Sequence, residues 1–149
     1  MIDIKTQYAG LTLRNPLIVG SSGLTNNAER NKEFEKAGAG AIVLKSLFEE
    51  QIEMQSDVLM QDSDYPEAAD YIRGYVKANQ INDYLELIQK TKELCTIPVI
   101  ASINCYKSDA WIEFVHSFFV GTAIVIKIGA NLSVKLITEI FVLGKTACR

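Results

Sequence analysis

Four short runs of apolar, mostly β-branched residues restrict the fold of this chain more than any other feature. The runs span residues 17–20, 41–44, 98–103 and 123–126. Such runs are typical of strands that are buried on both faces of a parallel sheet. Helical patterns lie between them, and an alternation of strand and helix favours right-handed βαβ units. The sequence therefore predicts an α/β fold built on a parallel sheet.

Three helices are predicted, one in each interval between successive strands. The first spans residues 27–37, with Asn26 as its N-cap and Gly38 as its C-terminal stop. The second spans about residues 81–94, where apolar residues recur on one face. The third begins near Ser108, a residue type that commonly caps helices.

Two further segments carry local patterns. Short alternating runs around Ala9–Gly10 predict a small hairpin over residues 6–13. Residues 49–72 contain eight acidic side chains and no basic one. Because eight acids without a base in the same segment are costly to bury, we expect a mobile segment at the carboxyl-end face of the sheet, with a short helix near residues 66–75.

The charge distribution excludes some classes of partner. The net charge of the 149 residues is −3, which argues against a nucleic-acid binder. Residues 1–113 carry a net charge of −6, whereas residues 114–149 carry +3. The longest uncharged run in the second part, residues 114–126, is shorter than the roughly 20 residues of a membrane span. We therefore expect neither a nucleic-acid partner nor a membrane partner.

The cysteines and the N-terminus indicate a reducing compartment. Cys95, Cys105 and Cys148 form no CxxC pair, which excludes a disulfide framework and a zinc ribbon. Asp3 and Lys5 interrupt the first apolar residues, so no secretory signal is expected. The expected location is the cytoplasm, and no metal site is expected.

Polar residues follow three of the predicted strands. Because the loops at the carboxyl ends of parallel strands face the ligand in βα folds, these residues are candidates for a site. Residues 20–23, Gly-Ser-Ser-Gly, suit a flat ligand or an anion, and the alternative is a tight turn. Lys45 and Ser46 end the second strand, where the lysine either meets a ligand or points to solvent. Asn104 either reads the edge of a heterocycle or forms a local turn.

The same motifs resemble a known family. Residues 8–16 and 20–23, followed by 37–46 and 101–104, resemble the start of the dihydroorotate dehydrogenases and their close relatives. The likeness covers roughly residues 3–115, with several motifs in the right order. It implies an FMN-containing (β/α)8 barrel, of which this chain would form about four strands after an N-terminal hairpin.

The resemblance also implies a function and a set of site residues. Such enzymes oxidise a dihydropyrimidine, such as dihydroorotate, by hydride transfer to FMN in pyrimidine biosynthesis. The cofactor-binding positions implied here are Ser22, Gly23, Lys45 and Ser46, and the substrate-binding positions are Lys45, Asn79 and Asn104. The expected partner is thus a small-molecule substrate.

Two family motifs differ in this sequence. In the family's substrate loop, here residues 71–79, only Asn79 lies near an expected position. The family's catalytic Cys or Ser follows the fourth strand, and residues 123–131 contain neither. The catalytic residue is therefore unassigned.

Length and composition predict a partial barrel. A complete barrel of this type needs roughly 250 residues, and the charge changes sign near Phe114. We therefore expect one partial barrel domain over residues 1–149, with residues 116–149 as a divergent tail of a truncated chain. Its open edges favour a homo-oligomer. An inactive chain is expected, and the alternative function is a non-catalytic half-barrel remnant or binding module.

Overall fold

The computed structural model describes residues 3–8, 10–61, 68–104 and 123–126. The strands are β1 Thr6–Tyr8, β2 Leu11–Leu13, β3 Ile18–Val19, β4 Ala41–Val43, β5 Leu47–Phe48, β6 Val99–Asn104 and β7 Ala123–Ile126. A short 3₁₀ helix spans Gly23–Thr25, and the α-helices are α1 Ala28–Lys36, α2 Glu49–Gln61 and α3 Ala68–Leu94. The helix predicted from Ser108 and the tail predicted from residue 116 lie outside the described residues, apart from β7.

The main sheet is parallel and contains a bulge. Val43 pairs with Ile100, and Leu47 pairs with Ile103. From the first pair to the second, the chain advances four residues on one side, from Val43 to Leu47. It advances only three residues in β6, from Ile100 to Ile103. Thus β4 and β5 are two halves of one strand, interrupted by a one-residue bulge at residues 44–46. Bulges are rare in parallel pairs and re-aim side chains.

The topology confirms the predicted fold class. Strand β3 pairs with β4, and β6 pairs with β4, β5 and β7, all in parallel. With β4 and β5 counted as one, this is a four-stranded parallel sheet, and all four apolar runs contribute a strand to it. The predicted hairpin is also present, because β1 and β2 pair antiparallel. The arrangement is consistent with part of a barrel.

The helices differ from prediction in their limits. The N-cap of α1 is Asn27, whose side chain accepts a hydrogen bond from the Arg30 backbone N–H, so the assignment to Asn26 is wrong. Gly38 follows α1 with φ of +108°, as expected of a C-terminal stop. Helix α3 begins at Ala68, well before the predicted start near residue 81.

None of the helices in the described part of the chain has the length and apolar character that a membrane span requires.

The first part of the acidic segment is helical, which corrects the prediction of a loop, whereas residues 62–67 lie outside the described residues and the mobility of the segment stays a prediction. Helix α2 occupies residues 49–61 and packs against α3. Ile52 and Ser56, four residues apart, are buried, whereas Glu50 and Asp57 are exposed. A helix can bury one stripe of side chains while the others face water, and in α2 the buried residues include one acid, Glu49. A high acidic content therefore does not exclude packing.

The two faces of the sheet have different cover. Ile42 and Ala101 lie in the larger core, which is shared with the helices. On the other face, Ala41 and Ile100 pack against Leu13 of the hairpin. Successive strand residues point to opposite faces, and these two pairs follow that rule. The hairpin therefore covers the amino-terminal half of the sheet face that carries Ala41 and Ile100.

The Arg14–Asn15 segment holds the hairpin in place. The Arg14 guanidinium donates to the carbonyl oxygens of Ala39 and Glu35 at 2.9 and 2.6 Å. The backbone of Asn15 passes so close to Gly40 that a Cβ there would lie 2.3 Å from the Asn15 carbonyl oxygen. This part of the family-like motif therefore has a structural role.

Candidate functional site

Three serines from neighbouring strands meet at the carboxyl end of the sheet. The Ser46 hydroxyl oxygen lies 3.0 Å from that of Ser21 and 2.8 Å from that of Ser102. The Ser46 backbone N–H also donates to the Ser21 hydroxyl at 3.0 Å. We call Ser21, Ser46 and Ser102 the serine row. It forms because Ser21 follows β3, Ser46 lies in the bulge and Ser102 lies in β6.

The row retains one hydrogen-bond donor for a ligand. Three hydroxyl hydrogens serve two bonds between hydroxyl oxygens, so one hydroxyl hydrogen is not used within the row. Ser102 is only 9% exposed, Ser46 is half-buried and Ser21 is exposed. The row therefore runs from the protein interior to the surface.

The bulge determines where Lys45 and Ser46 point. Leu44 and Leu47 both pack in the larger core, and Ser46 lies between them in the serine row. Lys45 is exposed. The expectation that these two residues end the strand is wrong, because pairing resumes at Leu47. The insertion instead places both residues within the strand, with Ser46 turned away from the core.

Ser22, predicted to bind the cofactor, has a local partner. Its hydroxyl accepts a hydrogen bond from the Leu24 backbone N–H at 3.3 Å and caps the 3₁₀ helix. The Thr25 hydroxyl accepts in turn from the Ser22 backbone N–H. The serine that joins the row is its neighbour, Ser21. The sequence contained both serines and offered no basis for choosing between them.

Open space lies in front of the loop that follows β3. Among the described residues, a Cβ added to Gly20 or Gly23 would have no atom within 4 Å. Neither glycine has a positive φ. Packing and backbone conformation thus leave both positions open to a larger side chain. Glycine at Gly23 keeps the space beside the predicted cofactor position empty.

Tyr84 of α3 is a neighbour of the row that the sequence analysis did not identify. Its hydroxyl donates to the Ser102 carbonyl oxygen at 3.1 Å and accepts from the Ser102 backbone N–H at 3.0 Å. Burial raises the pKa of Tyr84, so the phenol stays neutral. The residue shares the apolar helix face of Ile81 and Ile88, and that spacing could have identified it.

Asn104 supplies an acceptor at the same end of the sheet. It lies two residues beyond Ser102 in β6, and residues two apart share a face. Its side-chain oxygen is buried and accepts no hydrogen bond within the described structure. A buried acceptor without a donor is costly, and a ligand N–H would satisfy it. The predicted substrate role of Asn104 is compatible with this position.

Asn79 is not brought to the row. It is exposed on α3 and lines a groove between α2 and α3, together with Met54 and Tyr75. It lies about 140° around the helix from Tyr84, at 100° per residue. Since Tyr84 faces the sheet, Asn79 faces away from it.

The site combines the hydroxyls of the row with a buried amide acceptor, and the exposed Lys45 is the sequence neighbour of Ser46. These suit a flat heterocycle with carbonyl and N–H groups on its edge. Among the residues described, no cluster of His, Cys, Asp and Glu is placed to hold a metal ion. No protein-family model and no curated protein matches this chain.

Proposed function

We propose that the chain belongs to the FMN-dependent oxidoreductases of the dihydroorotate dehydrogenase type and binds the flavin ring at the serine row. One observation carries the proposal. Three separate family-like motifs, residues 20–23, 37–46 and 101–104, each contribute one serine to a single hydrogen-bonded row. Residues that are distant in sequence meet where βα folds place their ligands.

The residues at this end of the sheet fit the ring of a flavin. A flavin presents carbonyl oxygens and an N–H group, which match the spare hydroxyl of the row and the buried Asn104 oxygen. Among the described residues no atom lies within 4 Å of a Cβ at Gly23, which is what the edge of a flat ring would require there. When bound, the flavin supplies a two-electron acceptor for hydride.

The residues of the chain would orient the ring and the substrate. Lys45 would place a positive charge at the mouth, where it stabilises negative charge on a reduced ring or a substrate carboxylate. The side-chain amide of Asn104 would form hydrogen bonds with the edge of the flavin or substrate ring. Tyr84 is neutral and hydrogen-bonded to the backbone of Ser102, so it serves as neither acid nor base.

A binding module that holds the same heterocycle without turnover is the second candidate. The chemistry of the row favours it. Hydroxyl and amide groups bind and orient a ligand, and in the described residues the hydroxyls of the row bond to one another and to a backbone N–H rather than to a side-chain base. Both candidates share the binding site and differ in turnover.

Titration with FMN tests the binding site. We expect a saturable change in flavin fluorescence with the unmodified chain and an at least tenfold weaker affinity in Ser46→Ala. Ser56→Ala is the matched control, because that buried hydroxyl donates to the Ile52 carbonyl oxygen within α2. The absence of saturable binding, or equal binding by Ser46→Ala, would overturn the proposal.

Turnover separates the two candidates. Dihydroorotate is added to the FMN-loaded chain with a quinone, fumarate or a nicotinamide as electron acceptor. Bleaching of the bound flavin and formation of orotate support the oxidoreductase. Saturable FMN binding without either supports the binding module.

A further inference from the structure

The bulge leaves the backbone of Ser102 without its strand partner. The Leu44 backbone N–H donates to the Ile100 carbonyl oxygen at 2.9 Å, so the backbone of Ile100 faces β4. Backbone groups of residues two apart in a strand point to the same side. The N–H and C=O of Ser102 therefore face the bulge at residues 44–46, where regular pairing is interrupted.

The Tyr84 hydroxyl takes the place of that missing partner. It accepts from the Ser102 N–H at 3.0 Å and donates to the Ser102 carbonyl oxygen at 3.1 Å. A single phenol oxygen thus satisfies both backbone groups of a residue that is 9% exposed. Buried backbone groups that lack partners are destabilising. The bulge therefore removes the strand partner of Ser102, and the Tyr84 hydroxyl provides the replacement hydrogen bonds.

We infer that Tyr84 is a positioning residue of the serine row, acting through the backbone of Ser102. The Ser102 hydroxyl lies 2.8 Å from that of Ser46, and the Ser46 backbone N–H donates to Ser21. A shift of the Ser102 backbone is therefore passed along the row to the surface. The consequence for a ligand rests on the proposed function, whereas the link from Tyr84 to the row does not depend on it.

The alternative is that Tyr84 only fills space in the core. Its ring is buried in the larger core with Ile88 and Val76, and Phe would preserve that packing. Tyr84→Phe therefore removes the hydroxyl alone. Tyr71→Phe removes a hydroxyl from a tyrosine of the same helix that is 76% exposed, and it is the matched control.

Backbone amide exchange of the unmodified chain is the first measurement, and it requires no variant. The Ser102 N–H should exchange as slowly as the ladder amides of β6, although the bulge gives it no strand partner. Exchange of Ser102 at the rate of an exposed amide would overturn the inference. This result also stands if Tyr84→Phe fails to fold.

The variants separate positioning from space-filling. In Tyr84→Phe we expect the Ser102 amide to exchange at least tenfold faster, after correction for global stability. We also expect the Ser46 amide resonance to shift, because the row is released. Unchanged Ser46 resonances in Tyr84→Phe would show that Tyr84 only fills space in the core and would overturn the positioning role. The same shift of the Ser46 resonance in Tyr71→Phe would show that the effect is not specific to Tyr84.

The flavin titration adds a distinct outcome. If the unmodified chain binds FMN, Tyr84→Phe should bind it at least threefold more weakly, and Tyr71→Phe should bind it equally well. If the unmodified chain binds no FMN, the proposed function fails while the exchange and resonance measurements still decide the role of Tyr84. Full FMN affinity in Tyr84→Phe would overturn the positioning role at the ligand site.

Discussion

The side-chain oxygens of Ser46 and Ser102 lie 2.8 Å apart although 56 residues separate them in the sequence. Leu44 packs in the larger core, and regular alternation would place Ser46 on the same core face. The one-residue bulge reverses the alternation and turns Ser46 to the opposite face. This local insertion is what makes the serine row.

The two serines after β3 should have opposite phenotypes. Ser22→Ala removes the cap of the 3₁₀ helix, so we expect a loss of about 1 kcal/mol in the free energy of unfolding and little change in FMN affinity. Ser21→Ala removes an exposed member of the row, so FMN affinity should fall with little change in stability. Urea unfolding and FMN titration measure the two effects. A larger loss of affinity in Ser22→Ala would contradict this assignment.

Lys45→Ala should weaken FMN binding or slow flavin reduction more than tenfold. A charge-assisted hydrogen bond to a bound ring is worth about 1.5–3 kcal/mol. Lys36→Ala removes the same charge from the last turn of α1, away from the row, and is the control. Fluorescence titration and stopped-flow reduction provide the readouts. Equal behaviour of the two variants would exclude Lys45 from the site.

Stability should fall in acid because of Glu35. Burial raises the pKa of this carboxyl, but hydrogen bonds from Lys32 and Thr96 outweigh burial and lower it from 4.5 to about 2. The ionised form is favoured in the folded state, so its contribution is complete above pH 4.5 and is lost as the pH falls towards 2. The contribution is on the order of 3 kcal/mol.

Urea unfolding between pH 7 and pH 2.5 measures this dependence. Glu35→Gln should be less stable at pH 7 and should lose less stability on acidification than the unmodified chain. Glu33→Gln, an exposed position on the same helix, should retain the full dependence. Parallel pH profiles for the unmodified chain and Glu35→Gln would show that another group is responsible.

Two glycines should respond to alanine in opposite directions. Gly40→Ala would place a Cβ 2.3 Å from the Asn15 carbonyl oxygen, so the hairpin connection must shift at a cost of about 1–3 kcal/mol. Gly74 lies within α3, and a Cβ there would meet no atom of the described part of the chain within 4 Å. Gly74→Ala should therefore stabilise the chain by up to about 1 kcal/mol. Thermal unfolding tests both, and destabilisation by Gly74→Ala would refute the second expectation.

Features that depend on near neighbours in the sequence could be predicted. The strands in the runs 17–20 and 41–44 follow from uninterrupted apolar residues, and the end of α1 follows from its C-terminal glycine. Helix α2 was missed for a physical reason. Its acids suggested a solvated loop, whereas the buried pair Ile52 and Ser56 is meaningful only once α3 lies beside it.

The α/β class and the N-terminal hairpin follow from the sequence alone. Contacts between distant segments were needed to show that Ser21 bonds to Ser46, that Ser46 bonds to Ser102, and that the Tyr84 hydroxyl bonds to the backbone of Ser102. Apolar periodicity and caps act over a few residues. Strand register is set by contacts between distant segments, and a shift of one residue exchanges the two faces of a strand.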